Sequence, residues 1–256
     1  MTTIKRPDGW LCAATPAGVA TLTTTRQHTG GRSKGAFASF NLGSHVGDEP
    51  SAVQHHRHLL SEHVGGRAIQ WLEQVHGTDC VRVTAAISPP PQADAAVTGS
   101  TAVVLAVMTA DCVPILLWNK DATEVAVCHA GWRGLADGVV ARVVQHMRSD
   151  AATIEAWIGP CIGVTRYEVG ADVWQQLSRA DDCLQPHPDP DKRFLNLALA
   201  AQIQLQQSGV AAVSAADICT YEDDGFYSHR AHQHSGKSGE CGRFASLIWL
   251  TNPASS

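Results

Sequence analysis

MTADCVPILLW, residues 108–118, carries two apolar runs that meet at Asp111 and Cys112, with Pro114 just beyond. A carboxylate and a thiol at the edge of a core are costly to bury unless something nearby partners them. VVLAVMT (103–109) and PILLW (114–118) have the length and β-branched content of buried strands. The gap between them is too short for a helical crossover, which excludes a purely parallel sheet. An α+β protein with mixed sheets follows, and the open question is which groups meet Asp111 and Cys112.

Elsewhere, strand-like runs are VATLTTT (19–25), AIQWLEQV (68–75), CVRVT (80–84), EVAVCHA (124–130), TIEAWIG (153–159) and RFASLIWL (243–250). Helical periodicity is clearest in AVQHHRHLLSEHV (52–64), LADGVVARVVQHMR (135–148) and NLALAAQIQLQQSG (196–209). Gly209 stops the last of these as a C-terminal cap would. The Pro-rich stretches ISPPPQAD (87–94) and LQPHPDPDKR (184–193) are too short to be tethers and read as surface loops. With no repeat in view, residues 1–256 read as a single domain.

The 256 residues are 44% apolar, enough for a substantial core. A net charge of −5 gives no general attraction to nucleic acid or anionic membrane, so any anionic ligand must be held by a few local cations. The first residues, MTTIKRPDGWLCAATP, lack the apolar core of a secretory signal. AVVLAVM (102–108) is far short of the roughly 20 residues that span a bilayer. A cytoplasmic monomer acting on small molecules is the expectation. The eight cysteines have irregular spacing and no CxxC pair, which argues against a zinc ribbon or a disulfide scaffold and for mostly reduced, inert thiols.

Three metal-competent residues sit where apolar runs end: His76 in EQVHG, Cys112 in MTADC and His129 in VCHAGWRG. They are too far apart for a local finger and suitably placed to meet at the ends of adjacent strands. One thiolate and two imidazoles suit Zn²⁺, and three protein ligands leave a fourth position open, as catalytic zinc requires. Asp111 could orient a ligand or accept a proton. Two other readings use the same residues. Each could simply fill space in the core, or Cys112 could be a nucleophile with His129 as its base.

NLGSHVGDEP, QVHGTD, TADCVPILL, HAGWRG, IGPCIG, YSHR and GRFASLIWL together resemble, in order, the YfiH family, also called the laccase-domain or polyphenol oxidase family. That family includes the bacterial peptidoglycan editing factor. The resemblance runs from about Val19 to Leu250. It implies zinc on His76, Cys112 and His129, and a layered α/β/β/α fold similar to cysteine-hydrolase-like toxin domains. It also implies purine nucleoside phosphorylase activity on adenosine and inosine, with methylthioadenosine phosphorolysis and adenosine deamination at the same site. Arg57, Arg26 and Arg230 match positions that would hold phosphate, for which a planar guanidinium is well shaped. Asn41 and Gly43 would form part of the pocket wall. Two departures bear on substrate preference: His56 precedes Arg57 where relatives usually carry Asn, and a His-rich stretch, AHQHSGKSGECG, follows YSHR. That stretch reads as a mobile polar loop.

Other patterns fail on their context. GRSKG (31–35) lacks the helix that a nucleophile elbow needs and reads as a basic loop. SGKS (235–238) lacks the first glycine of a P-loop, and no His-x-Glu with a paired cysteine motif signals a cytidine-deaminase site. Copper oxidase chemistry is disfavoured because no His-x-His pair flanks the strands that carry these residues and no methionine offers an evident axial ligand, so one zinc is the expected cofactor. Hydrolysis of a wrongly built muramyl amino-acid precursor remains an alternative activity. A zinc-stabilised binding protein would need a fourth protein ligand.

Overall fold

The computed structural model describes residues 3–6, 9–177 and 181–251. In chain order its strands are β1 (Thr3–Lys5), β2 (Leu11–Ala13), β3 (Val19–Thr23), β4 (Ala68–Gln70), β5 (Cys80–Arg82), β6 (Ala95–Thr98), β7 (Val103–Thr109), β8 (Val113–Asn119), β9 (Val125–Ala130), β10 (Ile154–Ile158), β11 (Glu168–Gly170), β12 (Leu184–Pro186), β13 (Lys192–Leu195), β14 (Ala212–Ala215) and β15 (Phe244–Leu250). Its α-helices are α1 (Pro50–His63), α2 (Trp132–Asp137), α3 (Val139–His146), α4 (Ala171–Trp174), α5 (Leu197–Gln207) and α6 (His229–His234).

Two six-stranded sheets, β1-β2-β3-β15-β7-β4 and β14-β10-β8-β9-β6-β5, dominate the molecule, and β11-β13-β12 form a small third sheet. Both large sheets are mixed: β4 runs parallel to β7, β5 to β6 and β14 to β10, while the other pairings are antiparallel. β7 and β8, close in sequence, do not pair. Residues 110–112 carry the chain from one sheet to the other, and Asp111 takes the left-handed conformation at φ 91° that turns it.

Period-two alternation explains the layering. Val103, Leu105 and Val107 of β7 face inward, against Leu116 and Trp118 of β8 and Val125 and Val127 of β9. Val104, Ala106 and Met108 face the opposite way and pack with Leu60 of α1. On the far side Val113, Ile115 and Leu117 pack with Val139, Val140 and Val143 of α3 and Ala200, Ala201 and Leu205 of α5. The order is helix, sheet, sheet, helices. A strand covered on both faces should be continuously apolar, and all seven residues of β7 and of β8 are buried.

Several expectations shift in detail. The helix expected over 135–148 begins earlier and divides at Gly138, whose φ of 88° a side chain would resist. The strand expected over 68–75 stops at Gln70, and the following turn delivers His76. LQPHPDPDKR is not all loop: its ends form β12 and the start of β13, a pairing masked in the sequence by prolines and charges. The His-rich stretch expected to be a mobile loop begins as α6, capped by the Ser228 side chain, with His232 buried. None of the eight cysteines is joined in a disulfide. Among the described residues no helix is long and apolar enough to cross a membrane.

Candidate active site

His76 lies in the turn after β4, Cys112 directly before β8, and His129 within β9. The β8–β9 register places Pro114 opposite His129 and Val113 opposite Ala130, which brings Cys112 beside the end of β9. The ligand atoms of the three residues all lie within 4.8 Å of one another. Cys112 Sγ is 3.9 Å from His76 Nε2, and the two imidazole rings meet nearly edge to face, centroids 4.8 Å apart. Gly131 explains the glycine of HAGWRG. A Cβ there would sit 3.0 Å from His76 Cδ2 and 3.1 Å from Cys112 Sγ, filling the space between the ligands.

Asp94, at the entrance to β6, is fully buried and organises this cluster. Its Oδ1 accepts from His129 Nδ1 at 2.7 Å and from the His76 backbone N–H at 3.0 Å; its Oδ2 accepts from the N–H groups of Gly77 at 2.7 Å and Val75 at 3.2 Å. Burial pushes the Asp94 carboxyl up, but donation from His129 and the backbone holds it below the usual range. Burial likewise pushes the Cys112 thiol up, and the two imidazoles outweigh it, bringing it down to about 6. His129 is shifted the other way: burial favours its neutral form, yet the Cys112 thiolate and Asp94 raise it to about 9. Half-buried Cys80 and buried Cys161, without such neighbours, are pushed up to about 12 by desolvation and match the expectation of inert thiols.

Asp111 lines the same cavity as Cys112, and its carboxylate is held in place by two hydrogen bonds. Its Oδ1 accepts from Thr220 Oγ1 and its Oδ2 from the Arg230 backbone N–H, both at 2.7 Å. The carboxylate therefore anchors the start of α6 to the sheet crossover. The group that orients a histidine of the cluster is Asp94.

The cluster opens into a cavity of about 750 Å³. Arg57 lines it, stacked 4.3 Å over Trp71, with Nε donating to the Leu42 carbonyl. Among the described residues no carboxylate pairs with Arg57, and burial lowers it to about 10. Arg230 lines the cavity as well, its guanidinium over Tyr167 and donating to the Glu168 carbonyl. Arg26 does not line it: its Nε donates to the Ala38 carbonyl at 2.8 Å and its guanidinium lies over Tyr227. Asn41 and Gly43 act one step back from the wall. Asn41 Oδ1 accepts from the N–H groups of Gly43 and Arg243, and a Cβ on Gly43 would come within 2.9 Å of Arg243 Cγ.

Arg243, Arg133, Tyr167 and Trp71 line the cavity without having been singled out in the sequence, and Asp94 stands behind it. Asp94 had a usable signal, an acid entering an apolar strand run as Asp111 does. Arg133 and Arg243 fall inside the motifs HAGWRG and GRFASLIWL, but composition and periodicity gave neither a role, because an arginine beside a strand or in a first helical turn is ordinary surface composition.

Two facing mixed sheets and a His-Cys-His cluster at a cavity floor define a laccase-domain protein of the YfiH type. The chain belongs to the family described as multi-copper polyphenol oxidoreductase laccase, whose model matches residues 20–251. It is 38% identical to a Xylella fastidiosa protein named purine nucleoside phosphorylase, over 96% of this chain and 98% of that one. It is also 38% identical to the Escherichia coli K12 protein named purine nucleoside phosphorylase YfiH, over 92% and 95% of the two chains. Among solved structures, Neisseria meningitidis protein NMB0706 superposes with a TM-score of 0.88 at 38% identity, covering 95% of this chain and 99% of that one. YlmD from Geobacillus stearothermophilus gives a TM-score of 0.84 at 32% identity, covering 98% and 99%.

Proposed function

We propose that this chain, as one cytoplasmic domain, is a metal-dependent purine nucleoside phosphorylase. It cleaves adenosine or inosine with phosphate: the C1′–N9 bond breaks, the base leaves with the bonding pair and takes up the proton that the hydrogen phosphate gives up, and a phosphate oxygen takes its place on the ribose. Methylthioadenosine is a further substrate of the same site, and adenosine deamination a second reaction there. The observation that carries the reading is Arg57, a half-buried cation on the cavity wall whose partners are neutral, in the same cavity as the His76, Cys112 and His129 cluster. A guanidinium left without a carboxylate in a confined cavity favours an anion of phosphate type. The names of the relatives point the same way.

His76, Cys112 and His129 would hold the metal. One thiolate and two imidazoles in reach of one another suit zinc, and Gly131 leaves the space between them clear. When bound, the ion supplies Lewis acidity and positive charge at the cavity floor. A single cluster of this kind among the described residues favours one ion over a multi-copper centre. Arg57 holds the phosphate, and the stacked Trp71 keeps its guanidinium in place. Val75, Pro89 and Pro90 form an apolar rim that limits water around the nucleoside.

The test is to incubate zinc-loaded protein with adenosine or inosine, with and without phosphate, and separately with a UDP-muramyl-serine precursor. Free base and ribose 1-phosphate formed only with phosphate support the proposal. Base release that ignores phosphate, or turnover of the muramyl precursor alone, replaces it with a hydrolase.

A further inference from the structure

We infer that Asp94 is a positioning residue that sets two of the three metal ligands at once, fixing the proton of His129 and the backbone of His76. The inference rests on the proposed metal site. Four donors converge on one carboxylate: His129 Nδ1 and three consecutive backbone N–H groups of Val75, His76 and Gly77. A carboxylate accepts only, so His129 must carry its proton on Nδ1 and present Nε2 to the cavity floor. The three N–H groups form a concave nest, and at its centre His76 adopts φ 60°, a conformation rare for a side-chain-bearing residue. The anion in the nest stabilises that backbone conformation, which in turn directs the His76 imidazole to Cys112. Asp94 is itself held, because its carbonyl accepts from the His129 N–H at 2.7 Å in the β6–β9 ladder. The two histidines, distant in the chain, thus share one reference point on a strand.

Asp94→Asn is nearly isosteric, but its amide end turns N–H groups toward at least one of these donors. The expected result is zinc binding weaker by about 10- to 100-fold, measured by chelator competition. The visible spectrum of the Co²⁺-loaded variant should also change, since that spectrum reports ligand geometry rather than fold. Glu124→Gln is the control. It removes another buried carboxylate from just before the other end of β9, where Glu124 pairs with Arg82, and should lower the melting temperature while leaving zinc affinity and the Co²⁺ spectrum unchanged. Should Asp94→Asn not fold, ¹⁵N spectra of the histidine rings in zinc-loaded wild type decide, with His129 protonated on Nδ1 and coordinated through Nε2. Wild-type affinity and spectrum in Asp94→Asn, or coordination of His129 through Nδ1, would overturn the inference while leaving the metal site standing. A wild-type protein that takes up no zinc or Co²⁺ removes the metal site itself and this inference with it.

Discussion

The floor of the cavity and its wall are assembled from different materials. His76, Cys112 and His129 belong to strands or the turns beside them, and a buried carboxylate ties two of them together through four hydrogen bonds. Arg57, Arg133 and Arg230 come from α1, α2 and α6, and Arg243 from the residue before β15. Each arginine is held by its own stacking or carbonyl contact, as Arg57 is by Trp71 and Leu42. On the proposed function, chemistry that needs fixed ligand geometry would sit on the sheets. Binding that tolerates adjustment would sit on helices and loops, where a side chain can be exchanged without disturbing the core. A change at the floor should therefore abolish function outright, and a change on the wall should alter it by degrees.

The largest effect is expected for His129→Ala or Cys112→Ala. Each should lower zinc content from about one per chain and cut phosphorolysis at least about 1,000-fold, some 4 kcal/mol of barrier. Chelation of the wild type should do the same, with zinc restoring activity. Elemental analysis and turnover assays check this, and full zinc occupancy in a folded triple substitution of the cluster would refute the site. On the wall, Arg57→Ala should raise the KM for phosphate by about 10- to 100-fold, the range for a lost charged hydrogen bond, with a smaller change in nucleoside KM. Arg57→Lys should recover part of it, since an ammonium keeps the charge and loses the planar fork. Equal loss for both substrates would mean that Arg57 shapes the cavity instead of holding the anion.

Beneath the wall, His56 offers a pH-dependent test of how the arginines are supported. Its Nδ1 donates to the Asn41 carbonyl and its Nε2 accepts from the Arg32 N–H, an arrangement that only the neutral ring can satisfy. Burial lowers its pKa, and the bond to Asn41 only partly opposes this. The unfolded chain therefore takes up the proton first as pH falls. The contribution of His56 is complete above its unfolded value of about 6.5 and is lost below it. Urea melts from neutral to acid pH should show a steeper loss in wild type than in His56→Asn, with a difference of about 1 kcal/mol. A pH slope unchanged by the substitution would remove His56 from this role.

The same contrast governs what the sequence disclosed. The buried strands β7, β8, β9 and β15 were legible because strands covered on both faces must be continuously apolar. The cluster was legible because polar residues stood out at the ends of those runs. That β7 and β8 lie in different sheets was not, since no local preference records the partner a strand finds across the core. The arginines were hardest. Arg243 owes its place to Asn41 and Gly43, some 200 residues earlier in the chain, and a relation of that kind has no local signature.

Arg26 gives the smallest effect and the sharpest control, because the sequence grouped it with Arg57 and Arg230 as a phosphate ligand. In the fold its guanidinium packs 4.9 Å over the Tyr227 ring and its Nε donates to the Ala38 carbonyl, away from the cavity lining. Its backbone carbonyl also accepts from the Ser39 hydroxyl, so the residue pins the loop around residue 39 to the segment after β3. Arg26→Ala removes a neutral-acceptor hydrogen bond and a cation–π contact, together about 1–2 kcal/mol of stability. It leaves the backbone contacts intact. The expected outcome is a lower melting temperature with the KM for phosphate unchanged, the reverse of what Arg57→Ala should do. If Arg26→Ala instead raises the phosphate KM as Arg57→Ala does, the loop carrying Ala38 must move to admit Arg26 to the anion. The wall of the cavity would then extend beyond the residues that line it here.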